Sequence, residues 1–216
     1  MYPCVETIRI VDGQLPPSAV WALHQERVAR TCRELYGVAP FDLREALASR
    51  PLPETLRSGT VKCRILYGPT GCTATEYAPY QPPRIGSLLA IEDDSLEYRF
   101  KYSDRSSLTA WHERAVVAGY DDALLIRRGK VTDTTFCNVA FRVTGSPSEW
   151  HTPAAPLLCG TMRERLLQTG QIVPCNIPLT ALTSGFYDHI ALFNAMNDFG
   201  SITLPMQQIH IAPTRI

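Results

Sequence analysis

The chain has 216 residues, 45% of them hydrophobic, and 21 Lys plus Arg balance 21 Asp plus Glu, so the formal net charge is zero. The basic excess that a nucleic-acid-binding face needs is absent, and no apolar run approaches the roughly 20 residues that span a bilayer. The opening Met-Tyr-Pro-Cys-Val-Glu lacks the basic and apolar regions of a secretory signal. These features predict a globular cytoplasmic protein without nucleic-acid or membrane partners.

The first 80 residues contain three strand patterns and two helix patterns. A β-branched run over 5–11 predicts a strand, and a helix follows from Ser18, its expected N-cap, to Gly37. A short helix is predicted after the capping residue Asp42. Two further strands, 61–67 and 73–77, are expected to form a hairpin.

Three prolines within five residues, Pro79-Tyr-Gln-Pro-Pro83, fit neither a helix nor a central strand. We therefore predict a linker at 79–84 between a small domain, 1–80, and a larger one, 85–216. The larger domain is expected to contain strands at 85–91, 123–127, 138–143 and 186–193 and helices at 106–118 and 161–169. Because strands and helices are mixed without strict alternation, the fold class is predicted to be α+β.

The seven cysteines and five histidines are scattered along the chain. The number of cysteines is odd and no pair has C-x-x-C spacing, which argues against a disulfide framework and against a zinc site. Buried free thiols are the expected state. No metal is predicted.

Only three of the 21 basic residues are lysines. Lys62 alternates with apolar neighbours in a strand and is expected to face solvent, and Lys130 lies at a turn. Lys101 differs, because it follows an aromatic strand end and precedes a polar segment. Burial there would lower the pKa of the amine, as covalent chemistry on a carbonyl requires. An ordinary solvated lysine fits the same position.

Several other segments are suited to an anionic or heterocyclic ligand. Asp133 lies among three threonines before an apolar strand, where it could face a cationic ring nitrogen or simply cap a turn. Backbone amides at a helix start suit a phosphate. The candidates for phosphate contacts are Gly160, Thr161, Met162, Asn194, Ala195 and the side chain of Arg27. Each also fits an ordinary helix start, loop or solvated arginine.

Taken in order, these segments resemble the class IV aminotransferases, the fold-type IV pyridoxal 5′-phosphate (PLP) group. The matching segments are Val5-Glu-Thr-Ile-Arg9 (F-E-T-I-R in the family), Leu23-His-Gln-Glu-Arg27 (H-x-x-R), Lys101-Tyr-Ser-Asp-Arg105 (K-x-x-N-R), Asp121-Asp-Ala-Leu-Leu125 (D-E-A-L-L-L), Val131 to Asn138 (V-T-E-x-x-x-S-N), Trp150-His-Thr-Pro153 (L-x-T-P), Leu158 to Arg163 (L-x-G-[IT]-x-R) and Phe193-Asn-Ala-Met196 (x-N-[AS]-x).

This resemblance implies a two-domain, D-amino acid aminotransferase-like α+β fold and a homodimer. It makes Lys101 the Schiff-base lysine and places Asp133 opposite the pyridine nitrogen. It assigns Arg27 and the amides around Gly160 and Asn194 to the phosphate, and Asn138 to the cofactor site. The family's D-R-G-x-x-Y-G-D stretch has no counterpart before residue 5, so we expect an N-terminally shortened small domain. Asp133 also replaces the more usual glutamate.

The resemblance leaves the reaction open. The leading hypothesis is a 4-amino-4-deoxychorismate lyase of folate biosynthesis, since Lys101 to Arg105 most resembles the lyase branch. The alternatives are an aminotransferase for branched-chain or D-amino acids and a non-catalytic PLP-binding protein. The substrate is expected to be a small amino compound, with Arg64, Tyr67 and Arg9 lining its side of the site.

Overall fold

The computed structural model describes residues 3–212, and the chain divides into two compact units. The first unit is Met1–Pro82 with Phe100–Asp104, and the second is Pro83–Arg99 with Arg105–Ile216. The break after Pro82 lies inside the predicted linker. No helix among the described residues is long and apolar enough to cross a membrane.

The segment around Lys101 groups with the first unit, whereas the sequence assigned every residue from 85 onward to the second. The reason is a set of long-range backbone hydrogen bonds that sequence patterns do not reveal. The amide of Val5 donates to the carbonyl of Lys101 at 2.9 Å, and the amide of Ser103 donates to the carbonyl of Pro3 at 2.9 Å. The lysine segment therefore lies against the first strand of the chain.

The first unit is a three-stranded antiparallel sheet with two helices. Its elements are β1 (Cys4–Val11), α1 (Ser18–Thr31), α2 (Leu43–Ala48), β2 (Thr60–Gly68) and β3 (Gly71–Pro79), with strand order β1-β2-β3. A π-helical turn, Cys32–Tyr36, extends α1 until Gly37 ends it at a φ of 68°. The predicted N-cap Ser18 is wrong: Pro17, with an extended ψ of 152°, holds that position, and no side chain caps the helix.

Alternation along β1 decides which side chains form the core of the first unit. Residues at even positions, such as Glu6 and Ile8, are fully buried, and Ile8 belongs to the same apolar cluster as Val28 of α1 and Ile65 of β2. Each such fully buried aliphatic side chain contributes on the order of 2 kcal/mol. A charged residue at one of these even positions, Glu6, therefore requires an internal partner.

The second unit contains two sheets. Its strands are β4 (Leu88–Glu92), β5 (Asp122–Arg127), β6 (Lys130–Thr134), β7 (Asn138–Val143), β8 (Trp150–Pro153), β9 (Val173–Cys175), β10 (Tyr187–Phe193), β11 (Ile202–Pro205) and β12 (Ile209–Ile211), and its helices are α3 (Ser106–Val117) and α4 (Thr161–Gln168). The strand orders are β11-β10-β7-β8-β9 and β12-β4-β5-β6. The largest buried side chains of its main core include Phe141, Leu124 and Ile190.

The longer predicted elements of the second unit are confirmed, within a few residues at their ends. Five short strands were missed: β6, β8, β9, β11 and β12. Most of them carry prolines or polar residues that hide a strand pattern, and β6 reads Lys-Val-Thr-Asp-Thr although its last four residues are buried. Tertiary burial, rather than local propensity, makes these segments strands.

All seven cysteines are free thiols, and four of them are buried. Cys159 is exposed and so departs from the expectation of buried thiols. Among the residues that the structure describes, no group of three or more His, Cys, Asp or Glu side chains could hold a metal ion.

Candidate functional site

Lys101 lies in the first unit, partly buried beside the beginning of β1. Its aromatic neighbours, Phe100 and Tyr102, meet edge to face with their ring centroids 6.1 Å apart. Phe100 belongs to the core cluster, and Tyr102 forms a bridge with Cys4. The two aromatic residues that flank this lysine in the sequence are thus packed in the first unit. Lys130, by contrast, is exposed and donates to Asn176 at 3.2 Å.

Arg27, expected to bind phosphate, is part of a buried charge cluster in the first unit. Its Nε donates to Glu6 Oε2 at 3.1 Å, and its Nη2 donates to Glu6 Oε1. His24, one helical turn before Arg27 on α1, places Nδ1 2.6 Å from Glu6 Oε1. All three side chains are almost completely excluded from solvent. The sequence did not single out Glu6 or His24, although both lie inside the segments that carried the resemblance.

The Glu6 carboxyl is held in its ionised form. Burial alone raises the pKa of Glu6, but the charge of Arg27 and the hydrogen bond with His24 outweigh burial and lower that pKa to about 2. A carboxylate bound by two guanidinium N–H groups fixes the plane of that guanidinium. Glu6 therefore fixes the orientation of Arg27 through two hydrogen bonds.

The three residues expected on the substrate side do not share a surface. Residues at odd positions of β1 and at even positions of β2 face away from the buried face, and the register pairs Thr7 with Arg64 and Arg9 with Lys62. Arg9 and Arg64 therefore lie on one face of the sheet, where Arg64 also donates to Glu76 at 2.8 Å.

Tyr67 points to the opposite face and is fully buried in the core, with its ring centroid 5.4 Å from that of Phe41. Tyr67 was predicted to line the substrate side, and this prediction is wrong because Tyr67 lies in the core of the first unit. Side chains along β2 alternate with a period of two, and position 67 falls on the core side.

In the second unit, Asp133 and Asn138 flank a tight turn between β6 and β7. The amide of Thr134 donates to the carbonyl of Cys137 at 2.9 Å, and the Thr134 hydroxyl accepts the amide of Cys137 at 3.1 Å. This closed turn brings the two flanking side chains together, so that Asn138 Nδ2 donates to Asp133 Oδ1 at 2.8 Å. The five-residue spacing in the sequence thus becomes a direct contact.

Asp133 is a buried carboxyl group whose hydrogen bonds do not fully offset the effect of burial on its pKa. Burial raises its pKa from 3.8 to about 6. Hydrogen bonds from the amide of Leu158, 2.9 Å from Oδ2, and from Asn138 oppose the shift, as does the charge of Arg163. A cationic group placed against this carboxyl would lower its pKa and keep it ionised. The chemistry of Asp133 therefore fits a protonated ring nitrogen.

The turn after Asp133 is held by residues to which the sequence assigned no role. Asp122, fully buried on β5, accepts the hydroxyl of Thr135 at 2.6 Å. Arg105 Nη2 donates to the carbonyl of Thr135 at 2.6 Å. On α3, His112 places Nδ1 3.0 Å from Asp122. These contacts fix the end of β6, where Asp133 lies, against β5 and α3.

The first turn of α4 offers the backbone amides that the sequence predicted for a phosphate. The first intrahelical bond runs from the amide of Glu164 to the carbonyl of Gly160 at 2.9 Å, which leaves the amides of Thr161 and Met162 without a carbonyl inside the helix. The Met162 side chain packs in an apolar cluster with Leu166, so only its backbone is suited to an anion. The first turn of α4 fits a phosphate group.

Asn194 organises a second loop with its side chain. Its Nδ2 donates to the carbonyl of Phe136 at 3.1 Å, and its Oδ1 accepts the amides of Met196 at 2.8 Å and Asn197 at 3.0 Å. Because the side chain is engaged in this way, backbone amides such as that of Ala195 are the groups in this loop that suit a phosphate. The loop also contacts the turn that positions Asp133.

Known proteins resemble this chain over most of its length. A family model described as amino-transferase class IV matches residues 4–203. An uncharacterised protein of Haemophilus influenzae (strain ATCC 51907 / DSM 11121 / KW20 / Rd) is 35% identical over 198 residues, which is 91% of this chain and 99% of the relative.

Two solved structures show the same fold. One is provisionally assigned as a 4-amino-4-deoxychorismate lyase from Haemophilus somnus 129PT; it is 32% identical, has a TM-score of 0.79, and the match covers 91% of this chain and 97% of that one. The other is a hypothetical aminotransferase from Mycobacterium tuberculosis in a PLP-bound form, 16% identical with a TM-score of 0.74, covering 98% of this chain and 84% of that one. These similarities confirm the predicted α+β fold type.

Proposed function

Because this chain belongs to the class IV aminotransferase family, we propose that it is a lyase that converts 4-amino-4-deoxychorismate into 4-aminobenzoate and pyruvate. The observation that carries the proposal is the likeness, along nearly the whole of both chains, to the Haemophilus somnus protein provisionally assigned as this lyase. The match of Lys101 to Arg105 with the lyase branch of the family points the same way.

The family's cofactor is PLP, and the residues of this chain fit it. The buried carboxyl of Asp133 suits the ring nitrogen. The amides at the first turn of α4 suit the phosphate, as does the guanidinium of Arg27, whose orientation Glu6 fixes. When bound, the cofactor supplies an electron sink for negative charge on the substrate carbon that bears the amino group.

The protein's own contribution is to hold groups and to move a proton. The amine of Lys101 is assigned the covalent bond to the cofactor. When the substrate's amino group takes the place of the Lys101 amine in that bond, the freed Lys101 amine would accept the proton from the carbon that bears the substrate's amino group. Ionised Asp133 keeps the ring nitrogen protonated, which favours the loss of that proton. The ether C–O bond that carries the three-carbon side chain would then break, the departing enolpyruvate would take up a proton to become pyruvate, and the ring would become aromatic.

The decisive assay supplies purified protein and PLP with 4-amino-4-deoxychorismate. We expect equal amounts of pyruvate, followed with lactate dehydrogenase, and of 4-aminobenzoate, followed by fluorescence. Amino transfer from branched-chain or D-amino acids to a keto acid, without pyruvate release, would make the protein an aminotransferase. Cofactor binding with neither reaction would refute both enzymatic proposals in favour of the binding protein.

The assignment of Lys101 has a separate test. Reduction of the PLP-loaded protein with borohydride, followed by peptide mapping, is expected to place a pyridoxyl label on Lys101. Lys101→Ala should abolish the label, while Lys130→Ala, at an exposed lysine, serves as the matched control and should retain it. A label on Lys62 or Lys130 in the wild-type protein would overturn the assignment.

The proposal extends to the setting of the reaction. A lyase of this kind serves folate biosynthesis in the cytoplasm, acts on a small amino compound, and as a class IV enzyme is proposed to work as a homodimer. Arg9 and Arg64, which share one face of the first unit's sheet, are the proposed contacts for the substrate's carboxylates. Light scattering tests the dimer, and Arg9→Gln and Arg64→Gln test the contacts through an increase in KM.

A further inference from the structure

One asparagine side chain links the carboxyl of Asp133 to the segment that begins α4. Asn138 Nδ2 donates to Asp133 Oδ1 at 2.8 Å and to the carbonyl of Leu158 at 2.8 Å. The amide of Leu158 in turn donates to Asp133 Oδ2 at 2.9 Å. The three residues form a closed ring of hydrogen bonds. Because both protons of the amide nitrogen are used, the carboxamide has one orientation.

The oxygen of that carboxamide explains why residue 160 is a glycine. Gly160 has a φ of −74° and a ψ of 147°, which any L-residue can adopt, so its backbone does not require glycine. A Cβ at this position, however, would lie 2.0 Å from Asn138 Oδ1 and 3.2 Å from its Cγ. No side chain fits beside Asn138, and Asn138 is itself held by Asp133 and Leu158.

We propose that Asn138 is a positioning residue that acts through Asp133, and that Gly160 lacks a side chain in order to accommodate it. This inference rests on the proposed role of Asp133 opposite the cofactor's ring nitrogen. It assigns Asn138 a role different from the direct cofactor contact that the sequence suggested. Asn138 fixes the orientation of the carboxylate and favours its charged form by donating to it.

The arrangement also couples two ends of one ligand. The carboxyl that suits the ring nitrogen and the helix turn that suits the phosphate are joined through Asn138 and Leu158. Their spacing is therefore set before any ligand binds, which reduces the ordering cost of binding. Asp133 is one methylene shorter than the family's usual glutamate, so its position depends on these donors and on few torsions of its own.

The first measurement needs no cofactor. The pKa of Asp133 is followed in the apoprotein by NMR with carboxyl-labelled aspartate, and Asp133→Asn identifies the resonance. Asn138→Ala removes a hydrogen bond to the charged form and should raise that pKa by about one unit. Asn138→Ser, a smaller perturbation, is the second variant should the alanine protein not fold, and should raise the pKa in the same direction. An unchanged pKa in the folded variants would overturn the proposal.

The second measurement is a double-mutant cycle on PLP affinity. Gly160→Ala alone should displace Asn138 and weaken binding about 10-fold. In an Asn138→Ala background the obstructing oxygen is gone, and the same substitution should change affinity by less than about 2-fold. Gly68→Ala is the matched control, because nothing lies within 4 Å of the added carbon there.

The outcomes separate the inference from the function on which it rests. If the wild-type protein fails to bind PLP, the proposed function falls, while the pKa of Asp133 still reports whether Asn138 acts on it. If the wild-type protein binds PLP, the effect of Gly160→Ala on PLP affinity decides the inference. An equal loss of affinity with and without Asn138 would show that the absence of a side chain at Gly160 does not serve to accommodate Asn138, and the inference would be refuted.

Discussion

Replacing Glu6 with glutamine tests the buried charge cluster of the first unit. The pKa of Glu6 falls from 4.5 to about 2 on folding, and a difference of that size corresponds to about 3 kcal/mol. Glutamine keeps the shape but removes the charge that faces the buried guanidinium of Arg27. Removing one partner of a buried ion pair costs on the order of 3–5 kcal/mol. We therefore expect Glu6→Gln to lower the free energy of unfolding by at least 3 kcal/mol at pH 7.

The assay is urea unfolding of the apoprotein at a series of pH values. The folded-state pKa of Glu6 is lowered, so its contribution is fully present above about pH 4.5 and is lost as the pH falls towards 2. The difference between wild type and Glu6→Gln should therefore be constant from pH 7 to 5 and shrink below pH 4.5.

The matched control is Glu76→Gln, which breaks the exposed pair with Arg64. It should change the free energy of unfolding by less than about 1 kcal/mol. A loss below 1 kcal/mol for Glu6→Gln at pH 7, or a difference that does not diminish in acid, would show that the cluster is not held by charge.

Three further predictions concern buried polar groups. The pKa of Asp133 is raised on folding from 3.8 to about 6, so its ionisation should destabilise the apoprotein as the pH rises through that range. The difference in unfolding free energy between wild type and Asp133→Asn should change by about 2 kcal/mol between pH 4 and 7, and a flat difference would contradict the raised pKa. The hydroxyl of Tyr67 is buried, and no hydrogen bond of good geometry reaches it from the described residues, although Thr31 lies beside it. Tyr67→Phe should therefore cost less than about 1 kcal/mol in thermal unfolding, and a larger loss would show that Thr31 holds the hydroxyl. Thr135→Val removes the 2.6 Å hydrogen bond to buried Asp122 and should cost about 1–3 kcal/mol in urea unfolding, whereas no cost would mean that the bond does not hold the turn.

Patterns that depend on neighbours in the chain were predictable. The alternation in β1 and β2, the helix that ends at Gly37, and the amides at the start of α4 all follow from local sequence, since strand and helix periods are properties of short segments. The order of the motifs indicated the family, which the comparisons confirm. The sequence has only three lysines, and Lys101 is the one of them that follows an aromatic strand end.

Two features were predicted wrongly or missed, for different reasons. Tyr67 looked like a substrate residue beside Arg64, but the phase of β2 places it in the core. β6 was not predicted because its polar residues hide a strand. Its buried Asp133 accepts a hydrogen bond from the amide of Leu158, 25 residues further along the chain.

The sequence by itself determined which kinds of residue this protein has available: one candidate lysine, one acidic residue in the right motif, and two segments whose backbone amides suit a phosphate. Only the tertiary structure decided how these residues are held. It paired Glu6 with Arg27, joined Asn138 to Asp133, and made Gly160 necessary. The physical reason is that hydrogen bonds and steric exclusion between residues far apart in sequence depend on sheet register and turn closure, which no local pattern specifies.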